Sequence, residues 1–364
     1  MTTSTRLWIA VQAMALVLMV GWLLHVGRPI LTPIFAAVLI VFVVMGLAGL
    51  FARHPRLARL PAWAREALAA VVICVALIEL VSLIATNIGA FAARAPVYQE
   101  ALLAMYQRVA LHFDFDEAAT LRAIRAEAAQ ALNLPGLARA AAGSAAGVVA
   151  VLIFVLLNVG FLMGERRKFF GKLDRLGLDE GATARVRGII ADVNDRVGAY
   201  LAMKTLMNLI LGGLSWFIMK LFGVEFATVF AITIAVLNYI PYFGSFIGVT
   251  FPAAAALVTF ADPAGVVWLV LWLAAAQFLI GNIIEPQVMG SSLNLSPWVI
   301  LIALTVWGAL WGVAGAVFSV PIMAILLVVL SEFESTRPVA VLLSKDGDLA
   351  RSGALGAARP AGPR

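Results

Sequence analysis

Apolar blocks of about 18–25 residues, the length a helix needs to cross roughly 30 Å of hydrocarbon, recur along this 364-residue chain and decide its class. They fall at Leu7–Leu24, Ile30–Phe51, Ala67–Phe91, Gly143–Gly164, Ala199–Phe222 and Gly265–Ile284. Hydrophobic residues make up 63% of the chain and charged residues 13%, which leaves too little polar surface to cover a water-soluble core. In lipid, backbone polar groups must be paired internally, so only helices and closed barrels can span. The alternating segments of about ten residues that a barrel needs are absent. The chain reads as an all-α, multi-pass integral membrane protein.

Two further blocks, Phe226–Phe260 and Ser296–Leu330, are nearly unbroken apolar runs of about 35 residues, too long for one span and short for two. Each is interrupted in its middle. The first holds Asn238, Pro241, Gly244 and Gly248, with Pro252 beyond; the second holds Gly308, Gly312 and Gly315, with Pro321 beyond. Proline removes a helix hydrogen bond and crowds the preceding turn. Backbone freed this way must be buried in protein or line a cavity. Two layouts fit: eight crossings with both blocks as kinked spans, or about six full crossings plus two re-entrant hairpins entering from opposite faces. The second is preferred, because paired broken elements are the best pointer to a transporter's binding region.

Charge sets the expected orientation. Arg53, Arg56, Arg59 and Arg65 crowd one short loop, and Arg166, Arg167 and Lys168 follow Gly164. By the positive-inside bias both lie in the cytoplasm, with the 25–29 turn outside and both termini inside. The Leu7–Leu24 block reads as a retained signal-anchor helix. Five expected regions follow: helices 1–3 in 1–91; an extracytoplasmic amphipathic segment in 92–142; helices 4 and 5 in 143–222; the broken-helix transport region in 223–335; and a cytoplasmic tail in 336–364, disordered from Asp346 onward. Within 143–222, the stripe Val186, Ile189, Ile190, Val193 and Val197 predicts a cytoplasmic helix in 165–198 that runs on into the fifth block. The net charge of +6 comes from these membrane-flanking residues, so no nucleic-acid partner is expected. His25, His54 and His112 lack metal spacing, and Cys74 is the lone cysteine. No P-loop, HExxH or Gly-x-Ser-x-Gly motif occurs, so neither cofactor nor enzymatic chemistry is expected.

Ionisable and amide groups at membrane depth are costly, and each is weighed against a plain packing role. Glu79, mid-block, reads as a proton or sodium carrier or as a structural pair. Lys204 and Asn208 are four apart and share one helix face; snorkelling to the interface is the rival role for Lys204. Asn282 and Glu285 close the 265–284 helix before Pro286, as an ion or proton site or as a helix-end cap. Asn238, Pro241, Gly244, Gly248, Gly312 and Pro321 read as pathway lining, against close helix packing by glycine.

Several stretches resemble the autoinducer-2 exporter-like permeases: Tyr200-Leu-Ala-Met-Lys-Thr, Leu221-Phe-Gly-Val-Glu-Phe-Ala, Leu237-Asn-Tyr-Ile-Pro-Tyr-Phe-Gly-Ser, Gly281-Asn-Ile-Ile-Glu-Pro-Gln-Val-Met-Gly, Trp307-Gly-Ala-Leu-Trp-Gly, Ser319-Val-Pro and Val339-Ala-Val-Leu-Leu-Ser. They cover roughly residues 195–345 in order, nearest to the autoinducer-2 transport branch. The resemblance implies a secondary transporter of the bacterial inner membrane, exporting a small polar solute such as autoinducer-2 or exchanging sodium for protons. It also implies a homo-oligomer, a pentamer in form, with an elevator-like moving part. Ser291 stands where that branch implies a basic residue. A scaffold that moves no solute, recruiting partners through 92–142 or 165–198, is the reading of another class.

Overall fold

The computed structural model describes residues 3–83, 145–175, 177, 179–241, 243–260, 263–289 and 293–349. The amphipathic segment expected in 92–142, Asp262, Ser291 and the tail after 349 lie outside the described residues. Helices account for every regular element among the described residues, joined by one antiparallel bridge between Leu295 and Ser344. They are α1 (Thr3–Val26), α2 (Arg28–Arg53), α3 (Ala62–Leu83), α4 (Ala145–Asp174), α5 (Glu180–Leu221), α6 (Ala227–Leu237), α7 (Phe243–Thr259), α8 (Pro263–Phe278), a π-helical turn (Leu279–Ile284), α9 (Glu285–Met289), α10 (Pro297–Ser331) and α11 (Arg337–Leu343).

Six helical stretches among the described residues are long and apolar enough to cross a membrane: α2, α3, Gly147–Arg166 of α4, α5, Ala264–Val288 and α10. α6, α7 and Met14–Val26 of α1 are shorter apolar helices. By length and composition alone, α10 stands among the six in place of the Leu7–Leu24 block. The expected reversal at 25–29 is a bend. Gly27 alone separates α1 from α2, and its φ of −74° and ψ of −2° keep the chain right-handed. Gly27 N–H donates to Leu23 O at 2.8 Å, and Leu31 N–H donates to Gly27 O at 2.9 Å. Pro29, without an N–H, sits in the first turn of α2, where no intrahelical donor is needed. Among the described residues, α10 alone, longer than a single span needs, carries a backbone break inside one helix: Gly312 has φ 66° and ψ −144°.

The long helix expected across the fourth loop is present, since α5 runs for 42 residues. Pro286 does not end its helix as expected. The ladder widens instead into the π turn, with Glu285 N–H donating to Ile280 O, and α9 continues to Met289. Proline lacks an N–H and its ring presses on the carbonyl one turn back, and a π turn absorbs both. The tail is ordered further than its composition suggested. Lys345 N–H donates to Asn294 O at 3.1 Å, Asn294 Nδ2 donates to Asp348 O at 2.8 Å, and Leu349 is buried.

The chain forms two compact units. One comprises residues 1–73, 153–205 and 289–364, the other 74–152 and 206–288. In the first, Leu39 of α2, Val193, Val197 and Leu201 of α5, and Val320, Ala324, Leu327 and Val328 of α10 form one core. Ala37 and Val41 of α2 pack with Val155 and Val159 of α4. A Cβ on Gly46 would strike the Gly198 carbonyl, so α2 and α5 meet at backbone contact there. Lipid offers no hydrophobic drive between helices, and such close approach is what dispersion forces require instead. In the second unit, Met207, Leu211, Ile218 and Met219 of α5 pack with Phe230 and Ile234 of α6, Ala255 and Ala256 of α7, and Leu269, Leu273 and Ala276 of α8. Trp8, Val17, Leu18 and Trp22 of α1 are each more than half exposed, as suits a surface solvated by acyl chains.

Candidate functional site

Both long apolar blocks fold back on themselves. In the first, α6 and α7 are antiparallel arms. A Cβ on Gly244 would fall on the Leu237 carbonyl, and one on Gly248 would lie 3.2 Å from Ile234 Cγ1. The connection between Leu237 and Phe243 is held by its own backbone: Ile240 N–H donates to Leu237 O at 2.8 Å and Gly244 N–H to Ile240 O at 3.2 Å. Pro241 sits within it, half-buried, at the point where helical hydrogen bonding has already lapsed.

In the second block the reversal occurs within α10. A Cβ on Gly315 would collide with the Trp307 carbonyl. Residues eight apart in a straight helix are separated by about 12 Å, so the chain turns back between them. Gly312 makes the turn, with a φ that residues bearing a Cβ rarely adopt. Aromatic rings pack on the arms that flank it. Trp307 and Trp311 have centroids 5.1 Å apart, Phe35 packs on Trp311 at 6.0 Å and on Phe318 at 5.5 Å. Trp311 Nε1 donates to Leu24 O at 3.0 Å, which satisfies its one polar atom. Pro321 is buried in the second arm.

The first hairpin collects amides. Asn238, at its turn, donates through Nδ2 to Oδ1 of Asn208 on α5 at 2.8 Å, and both side chains are buried. α5 lies antiparallel to α6: Gly212 admits Ala231 and Ala235, and Trp216 Nε1 donates to Thr228 Oγ1 at 3.2 Å. Gln277 of α8 is buried and brings Nε2 against Gly248, where only a glycine leaves room for it. Four buried side-chain atoms among the described residues have no hydrogen-bond partner: Thr32 Oγ1, Asn208 Nδ2, Ser215 Oγ and Gln277 Nε2. Three of them belong to this unit, on the faces of α5 and α8 that pack on the hairpin.

The other sequence-named residues are dispersed. Lys204 is buried, 8% exposed. Glu285 is half-buried just after the π turn, while Asn282 and Pro286 are exposed. Glu79 is exposed on α3. The structure thus joins Asn208, Asn238, Gly244 and Gly248, and leaves Glu79 and Asn282 outside that group. Gln277 and Ser215 carried no motif in the sequence. Their only signal was a polar side chain deep inside an apolar block, the same signal that marked Asn208. Among the described residues no cluster of His, Cys, Asp or Glu could hold a metal ion.

The sequence profile of the AI-2E family transporters matches residues 12–335, nearly the whole chain. The chain belongs to this family. A protein of Borreliella burgdorferi, named for transport without a substrate, is 32% identical over 198 residues, 54% of each chain. The AI-2 transport protein TqsA of Escherichia coli is 33% identical over 195 residues, 53% of this chain and 55% of TqsA. The YrrI protein of Bacillus subtilis is 36% identical over 155 residues, 42% of this chain and 43% of YrrI. The similarity thus spans about half the length of these relatives. The apolar helices and the family together make this AI-2E transporter a multi-pass membrane protein.

Proposed function

We propose that this AI-2E transporter is a secondary permease of the bacterial inner membrane that moves a small polar solute past its hairpins, without enzymatic chemistry. The observation that carries the reading is interrupted backbone inside apolar blocks, at Asn238–Pro241 and at Gly312. Non-helical backbone at membrane depth is tolerated only where protein or water covers it. Autoinducer-2 is the solute to try first, because TqsA carries AI-2 in its name. In the same proposal the arginine-rich loop at 53–65 faces the cytoplasm and the chain works as a homo-oligomer.

The test is efflux from proteoliposomes loaded with autoinducer-2, measured against empty liposomes and against the Gly312→Val variant. Faster efflux in wild type alone is expected. Equal rates in all three would defeat the reading. One observation favours a second reading, cation–proton exchange: Glu285 is a half-buried carboxylate beside a π turn, and such turns gather at functional sites. A pH-sensitive dye that responds to added sodium in wild type and not in Glu285→Gln would establish it.

A further inference from the structure

We infer that Asn208, Asn238 and Gln277 form a hydrogen-bonding site beside the first hairpin for an uncharged, oxygen-bearing solute of polyol or sugar size. The inference rests on the transport reading and adds a ligand class and a ligand set to it. Burial of an amide is tolerated when its hydrogen bonds are made, and an orphaned donor costs on the order of 1–3 kcal/mol. Asn208 uses Oδ1 to accept from Asn238, which leaves its Nδ2 pointing elsewhere without a partner. Gln277 Nε2 is likewise without one. Two orphaned amide donors in one unit call for acceptors that the protein itself does not provide.

Geometry limits the size of the solute. The Asn238 backbone lies against Gly244 and Gln277 Nε2 lies against Gly248, contact points one helical turn apart along α7. That is a rise of about 6 Å, the span of a molecule with a handful of heavy atoms. Gly248 contributes by absence, since a Cβ there would fall 2.7 Å from Gln277 Nε2. Ser215, two turns along α5 from Asn208, adds a further orphaned hydroxyl on the same helix.

Charge limits its class. The buried polar groups of this unit among the described residues are Asn208, Ser215, Asn238 and Gln277, all uncharged. A bare ion drawn into such surroundings needs a counter-charge to offset its desolvation. A neutral solute needs only acceptors, and orphaned N–H groups supply the complementary donors.

The experiment uses the full chain in proteoliposomes and reads flux of glycerol and D-ribose as neutral probes, acetate as an anion, and a sodium step followed by an internal pH dye. Gln277→Met keeps the side chain's volume and removes its donors, and Gln277→Glu replaces its two N–H donors by a carboxyl group. Thr250→Val is the control, since Thr250 Oγ1 donates within its own helix to Phe246 O at 2.8 Å. Size exclusion and thermal unfolding confirm that each variant is folded; Gln277→Glu stands in if Gln277→Met is not. The expected result is wild-type flux of a neutral probe, reduced about tenfold in both Gln277 variants and unchanged in Thr250→Val. Neutral flux untouched by both Gln277 variants overturns the site while the transport reading stands. Movement of acetate or sodium with no neutral flux overturns the ligand class and again leaves transport standing. Absence of every flux, that of autoinducer-2 in the efflux assay included, overturns the transport reading itself, and this inference with it.

Discussion

The two hairpins solve one problem in different ways. The first spreads its reversal over the residues between Leu237 and Phe243, and gathers amides around it. The second turns within α10 at Gly312, and Trp307, Trp311, Phe35 and Phe318 pack on one another beside its arms. Among the described residues, three of the four orphaned buried atoms belong to the first hairpin's unit, and Trp311's polar atom is satisfied. The difference is one of chemistry: a polar break that gathers amides, and an apolar break flanked by packed rings.

The largest effects should come from filling the close contacts that the two hairpins share. Gly244→Leu and Gly315→Leu each drive a side chain into a backbone carbonyl of the opposite arm, Leu237 and Trp307 respectively. Both should cost more than about 4 kcal/mol and abolish the folded peak in size exclusion after extraction. Survival of Gly315→Leu alone would break the comparison, because the second block would then not fold back.

Next comes the turn itself. Gly312→Ala should lower stability by about 1–3 kcal/mol, because alanine must be forced to a φ of 66°. Pro241→Ala should cost no more than about 1 kcal/mol, since its turn is shared by several residues. Thermal unfolding of the two variants side by side measures the contrast, and equal losses would erase it.

The amide pair is then tested by a cycle. Asn238→Leu should destabilise by about 1–3 kcal/mol because it orphans Asn208 altogether. Adding Asn208→Leu should recover part of that loss. Strict additivity of the two losses would mean that the amides act independently. Trp311→Phe removes one hydrogen bond in the second hairpin and should cost about 1 kcal/mol, with solute selectivity unaltered.

The smallest effect belongs to Glu332, which follows the second hairpin. Burial holds its carboxyl above the ordinary range and Asp192 adds to this, while Arg185 and Arg196 pull the other way. A raised folded value means that the folded chain binds the proton more readily than the unfolded chain does. Stability therefore declines as pH climbs from the ordinary carboxylate value through the raised one. Glu332→Gln should flatten that slope and be slightly more stable at neutral pH; unfolding temperatures measured between pH 4 and 8 would show it.

Much of the fold was legible in the sequence because block length and composition are local properties. The two broken blocks, the long fifth helix and the apolar stripe along it all follow from counting apolar residues between breaks. Gly312 could be named early, since with Gly308 and Gly315 it interrupts an apolar run too long for one span. Gly27 misled for a related reason: a short polar gap reads as a reversal, yet a glycine can remain right-handed and bend a helix instead. Pro286 misled too, because a π turn can accept a proline that a regular turn would reject.

What the sequence determined by itself, then, was the membrane class, the helices and the places where they break, since each depends on residues adjacent in the chain. The tertiary structure alone decided which polar groups meet. Asn208 and Asn238 are thirty positions apart and pair only because α5 and α6 run antiparallel in one register, with Gly212 letting them close. Gln277 becomes conspicuous only when α8 sets its amide on Gly248, a contact that no local pattern encodes. Hydrogen bonds act over about 3 Å, and in a helical membrane protein that distance is set by how helices pack rather than by spacing along the chain.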